Sequence, residues 1–353
     1  ARQVIESITD SQIQPTLRAH AAIEGAEAEI LFGNPLAATR LLDGLTSSSD
    51  KTTPEIAARV ASARAAISMA NKSQRKAYDQ ARKSLLAFES AGENGADYLI
   101  AKARQLATLD RVGAPQAPQQ IEKFVNDAVG GPIPRYMLFA EIIHTVGIAA
   151  FGENTAAETA NIFRQVLIRA ELPQTHPLTF SAEMALIGSD LMVGKLADSL
   201  RKSFALQQSF GDRQPAPSLN LSDLYMQIAG ASVVLGETKI PEIFAQAALD
   251  ISEQIAPRES PYHQLKLLDA ADVFSQLEKR QTASDLITQI DVKTLGQNSG
   301  LGDALIIVRL AGIYDSLGDL QNAERAYRQA YHQLPKNALD SIFNYAVIEP
   351  YSN

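Results

Sequence analysis

Glu141 and His144 form an E-x-x-H pair. That spacing puts two metal ligands on one face of a helix, and di-iron carboxylate bundles use it in duplicate. A working centre of that kind also needs a second E-x-x-H and two further glutamates on facing helices. The chain has no second copy, so Glu141 and His144 read as a polar pair on one helix. The other histidines, His20, His176, His263 and His332, are far apart in sequence. The absence of cysteine removes disulfides, thiolate catalysis and Cys-ligated zinc. Neither Gly130–Gly131 nor Gly300–Gly302 is followed by the Lys-Ser/Thr of a phosphate-binding loop, and no G-x-G-x-x-G or G-x-S-x-G is present. Paired carboxylates are plentiful, but acid and base roles need a cleft. No catalytic, metal-binding or cofactor-binding residue emerges, and the expectation is a non-enzymatic protein with no cofactor. The enzymatic alternative is an α/α-toroid glycosidase, which stacks sugars on aromatic side chains between two carboxylates. Aromatics of 6% and no Trp fit that poorly.

The elements that would carry a non-catalytic function are helices. Hydrophobic residues make up 46% of the 353, charged residues 20%, and mean hydropathy is -0.09. These values describe a fully folded chain with an Ala- and Leu-rich interior. Its length lies near the upper limit of one globular core. The net charge of -8 is spread over interspersed acidic and basic residues, with no basic stripe. Nucleic acid is therefore not an expected partner. No run approaches the roughly 18 uninterrupted apolar residues of a membrane span. The chain begins at Ala1 without Met and lacks cysteine. This suits a protein exported to a bacterial periplasm, with the cytoplasm as the near-equal alternative.

Helical periodicity is nearly continuous, and turn-like marks recur along it. They fall at Gly33, Asn71, Gly113, Gly152, Gly194, Gly236, Glu278 and Gly318, with successive spacings of 38, 42, 39, 42, 42, 42 and 40. Glycine ends helices by taking the left-handed conformation; Glu278 keeps the spacing while breaking that residue rule. Small or apolar residues follow at fixed offsets: Ala38 and Leu42, Ala283 and Ile287, Ala323 and Tyr327. The pattern predicts about eight antiparallel helix pairs of roughly 40 residues. SSSDKTTP at 47–54, GAPQAPQQ at 113–120 and GDRQPAPSLN at 211–220 are connectors whose Pro and Ser/Thr end one helix and start the next.

The last pair is the most regular. Leu310, Ala311, Tyr314, Gly318, Ala323, Tyr327, Ala330 and Pro335 stand at the offsets of a tetratricopeptide repeat, with Ile307 in place of the usual Trp. Residues 304–337 resemble that family, and the rest of the chain does so only in period. One unit cannot bury its apolar face alone, so the resemblance implies a stack. The expected fold is all-α: a right-handed superhelical solenoid over 1–353, with a bend near GGPIP at 130–134. Residues 338–353 are expected to supply a capping helix and tail.

The resemblance also implies where a partner sits, because this family contacts ligands through the first helix of each pair. Ten residues before the marks lie Ile142, Met184, Met226, Leu268 and Val308. One turn later lie Val146, Gly188, Gly230, Asp272 and Gly312. They compose an apolar strip flanked by small residues, suited to a peptide or protein partner. Flexible Met184 and Met226 would adapt to it; the opposing reading is internal packing of the same residues. Lys, Asn and Arg, which clamp acidic chaperone tails in this family, are absent from these positions. The function expected is a protein-interaction scaffold or adaptor. A ligand-sensing regulatory solenoid is the alternative, and self-association through solenoid ends is compatible with either.

Overall fold

The computed structural model describes residues 15–46, 53–111, 116, 119–121, 123–124, 177–192, 195–210, 216–291 and 301–333. Glu141, His144, Ile142, Val146, GGPIP at 130–134, residues 338–353 and the marks Gly113, Gly152 and Gly194 lie outside the described residues. The chain divides into two compact units. Unit 1 comprises residues 1–224 with 254–257, and unit 2 comprises 225–253 with 258–353. The described residues contain helices and no strand.

The helices are α1 (Pro15–Leu31), α2 (Pro35–Thr46), α3 (Pro54–Ala70), α4 (Gln74–Ser90), α5 (Ala96–Arg111), α6 (Pro177–Met192) and α7 (Leu196–Gln208). They continue with α8 (Leu219–Val234), α9 (Lys239–Ile255), α10 (Pro261–Gln276), α11 (Arg280–Ile287), α12 (Leu301–Ser316) and α13 (Leu320–Gln333). The division between the units falls inside α8.

Local chemistry sets both ends of these helices. The Thr53 hydroxyl accepts from the Ile56 amide at 3.3 Å, with Pro54 next in sequence. Ser260 does the same for His263 at 3.2 Å, ahead of Pro261. Ser218 accepts from Leu221 at 3.2 Å. Each hydroxyl satisfies a first-turn donor that the helix leaves orphaned, and proline tolerates the first helical position. At the other ends, Gly33, Lys72, Gly92, Gly236, Glu278 and Gly318 are left-handed, with φ between 59 and 86. Each carries the paired bonds of a Schellman motif. At Gly318, for instance, its own amide reaches Asp315 O at 2.9 Å and the Asp319 amide reaches Tyr314 O at 2.9 Å. Four of the marks read from sequence coincide with these residues. The Asn71 mark is one residue short, because Lys72 takes the left-handed turn.

The two helices of each pair have different surfaces. Among the first helices, α3, α8 and α10 are buried around most of their circumference, whereas the second helices α4, α9, α11 and α13 are one-sided. A helix packed on both flanks needs apolar or small residues nearly all round. In unit 2, Met226 and Ala229 of α8 pack with Ala245, Leu249, Leu267 and Phe274. Leu268 and Ala271 of α10 then pack with Ile287, Leu310 and Ile313. Ile307 and Ala311 of α12 close on Ala326 and Ala330 of α13. Buried small residues at the start of second helices permit this approach: Ala38, Ala77 and Ala81, Ser199 and Ser203, Ala245, Ala283 and Ala323. A first helix therefore sits between two neighbours, and only a narrow stripe of it stays open.

Candidate functional site: the open stripe of the first helices

In unit 2 that stripe has a fixed register. On α8 it carries Gln227, Gly230 and Val234; on α10 it carries Asp269, Asp272 and Gln276; on α12 it carries Arg309, Gly312 and Ser316. All nine are half-buried or exposed, and their spacing of three and four residues is one helix face. Arg309 spans two helices: its Nη1 donates to Asp269 Oδ1 at 2.8 Å, and its Nη2 to Asp272 Oδ2 at 3.5 Å. Lys266 reaches the other oxygen of Asp269 at 3.3 Å and lies 5.4 Å from the centre of the Tyr262 ring. The stripe is thus ion-paired between α10 and α12, and bare at its glycines. A Cβ built on Gly230 meets nothing within 4 Å, and one on Gly312 meets only the Tyr327 hydroxyl at 3.9 Å. Gln227 brings an amide oxygen that is shielded from solvent and has no hydrogen-bond partner among the described residues.

The residues singled out by sequence are split by the structure. Met226 and Leu268 are core residues of unit 2, 7% and 0% exposed, and Met184 on α6 of unit 1 is 7% exposed. For these three the packing reading is the one the burial describes. Val308 is half-buried beside Ile307 and Tyr327. Gly188, Gly230, Asp272 and Gly312 are half-buried, and Gly188 has the same empty surroundings as Gly230. No close approach of another described helix accounts for these glycines. Gln227, Asp269 and Arg309 were missed. They lie nine residues before the marks rather than ten, so the polar character of that row was the available signal.

Unit 1 carries its own charged network on α1, α3 and α5. Arg59 of α3 donates to His20 Nδ1 at 2.9 Å and to Glu24 at 2.6 Å, and its Nε lies 3.6 Å from Asp97 of α5. Arg104 of α5 is fully buried and donates to the Ser62 hydroxyl at 2.9 Å. Its Nη1 lies 3.8 Å from Glu27, which is only 3% exposed. Burial pushes the Glu27 carboxyl above its ordinary range; Arg104 and then Arg59 oppose the shift. These groups tie three first helices together through charge, and they leave no described cluster able to hold a metal ion. No described helix is long and apolar enough to cross a membrane.

No protein-family model matches the chain, and no curated protein sequence matches it. Solved structures do. A Rap protein complexed with competence and sporulation factor is 10% identical, with a TM-score of 0.61 over 96% of this chain and 92% of its own. NprR in complex with its cognate peptide NprX is 14% identical, with a TM-score of 0.60 over 94% and 91%. The apo form of the quorum sensor NprR from B. thuringiensis is 13% identical, with a TM-score of 0.53 over 95% and 92%. At such identities the likeness speaks for the fold alone, and this fold is that of the TPR-like helical-repeat proteins.

Proposed function

We propose that this protein is a non-enzymatic scaffold or adaptor that holds a peptide, or an extended segment of a protein, along the open stripe of its first helices. The observation that carries this reading is the open space on the stripe of unit 2, where a Cβ on Gly230 would meet nothing within 4 Å and one on Gly312 only the Tyr327 hydroxyl at 3.9 Å. A glycine inside a helix costs about 1 kcal/mol relative to alanine, and no described neighbour uses the room it leaves. A partner's main chain lying against the helix would use it. Asp272, Val308 and Arg309 offer such a chain mixed polar and apolar contacts. Of the solved structures with this fold, NprR has been captured with a peptide and Rap with competence and sporulation factor, which supports the same use here. Interspersed charge and a net of -8 argue against nucleic acid as the partner.

The test is binding of defined peptides. Peptides co-purifying with the protein are identified by mass spectrometry, synthesised, and titrated calorimetrically into the native chain and into Gly230→Leu and Gly312→Leu. Loss of binding with an unchanged melting temperature supports the reading. Recovery of one stoichiometric metabolite and no peptide overturns it in favour of a ligand-sensing solenoid. Self-association would show as a concentration-dependent mass in the absence of peptide.

A further inference from the structure

Gly33 differs from the other left-handed glycines. Gly92, Gly236 and Gly318 are exposed, and a Cβ on any of them would meet nothing within 4 Å. Gly33 is buried, and its cover comes from far along the chain. The Leu219 amide, at the start of α8, donates to the Gly33 carbonyl at 2.9 Å. A Cβ on Gly33 would lie 2.9 Å from that same nitrogen and 3.2 Å from Ser218 Cβ. Both partners belong to unit 1. A repeat in a helical stack touches its sequence neighbours, so stacking alone does not require the first pair to meet the segment that opens α8.

We propose that the α1–α2 turn and the start of α8 form a latch that holds the first helix pair of unit 1 in place and can open without unfolding either helix. Its chemistry permits reversibility. Leu219 is a first-turn amide, for which its own helix supplies no acceptor, and Gly33 O belongs to a turn whose Schellman bonds use other groups: the Gly33 and Asn34 amides with Ile30 O and Glu29 O. On opening, water can satisfy the Leu219 amide and the Gly33 carbonyl, and no helical hydrogen bond is broken. Glycine serves the closed state twice, by its φ of 73 and by leaving the space that Leu219 and Ser218 fill.

The chain has no native cysteine, which makes the test direct. Phe32→Cys and Ala216→Cys, both at exposed positions next to the latch, carry spin labels for distance measurement by pulsed electron resonance. The native background should give a narrow distribution at short distance. Gly33→Asn keeps a residue that tolerates left-handed φ but adds the obstructing Cβ, and it should shift most of the population to a broad, longer distribution with unchanged helical circular dichroism. Gly236→Asn, a matched change without the contact, should leave the short distance intact. A long distance in the native background, or a short one preserved in Gly33→Asn, overturns the latch. Should Gly33→Asn fail to fold, Gly33→Ala, which adds the same Cβ and no more, takes its place and is read by the same two outcomes.

Discussion

Met226 and Gly230 lie one helical turn apart on α8, in opposite surroundings. Met226 is packed against Ala229, Ala245, Leu249 and Phe274, while a side chain at Gly230 would extend into open space. One turn of one helix thus joins the core of unit 2 to its open stripe, and the two positions should respond to mutation in opposite ways.

At Gly230 the expected response to alanine is a gain in stability. The position is helical, and the added methyl meets no atom within 4 Å. Gly230→Ala should therefore stabilise by about 1 kcal/mol through helix propensity while weakening capture of a bound peptide. Denaturant melts and calorimetry on one preparation measure both. A destabilised variant would mean that something packs on this glycine.

Met226→Asp should be severely destabilising. The position is 7% exposed and has no cationic neighbour within its core cluster. An uncompensated buried charge costs about 3–5 kcal/mol. Chemical denaturation would show this as a lowered midpoint. Partner loss at an unchanged midpoint would instead return Met226 to the binding surface.

Glu278 closes α10 with φ 59, a conformation that costs a side-chain-bearing residue. Glu278→Gly should accordingly raise stability by about 1 kcal/mol. The Schellman bonds from Glu278 to Ser275 and from Lys279 to Phe274 are main-chain bonds that the substitution leaves in place. Hydrogen exchange at those amides should slow; faster exchange would show that the Glu278 side chain holds the turn.

Acid should affect the two units in opposite senses. His263 is buried with Nδ1 2.9 Å from the Ser252 hydroxyl, and burial lowers its pKa from 6.5. The unfolded chain therefore takes the proton first, and stability from neutral His263 is present above 6.5 and lost as the pH falls from there through the lowered folded value. Glu27 has the reverse sign. Burial raises its pKa from 4.5, so its contribution is present below 4.5 and fades as the pH rises through the folded value. Hydrogen exchange across α9–α10 should thus accelerate on acidification between pH 7 and 5. Glu27→Gln should flatten the pH dependence of exchange in α1. An unchanged profile in either segment contradicts the assignment for that residue.

The sequence by itself determined the fold class and the punctuation of the chain. The turns at Gly33, Gly236, Glu278 and Gly318 were legible because a left-handed helix end constrains residue type and spacing locally. The helix starts after Thr53 and Ser218 were legible for the same reason, since a capping hydroxyl acts within three residues. Ala38, Ala283 and Ala323 announced the close contacts of the second helices. The tertiary structure alone decided which side of each first helix is open. A shift of one residue turns a helix face by about 100°, so counting ten residues back from a turn reached Met226 and Leu268 in the core, whereas nine reached Gln227, Asp269 and Arg309 on the stripe. That rotation is settled by packing on both flanks, and the polar row Gln227, Asp269 and Arg309 is its only trace in the order of residues; the meeting of Gly33 with Leu219, far apart in the chain, leaves none.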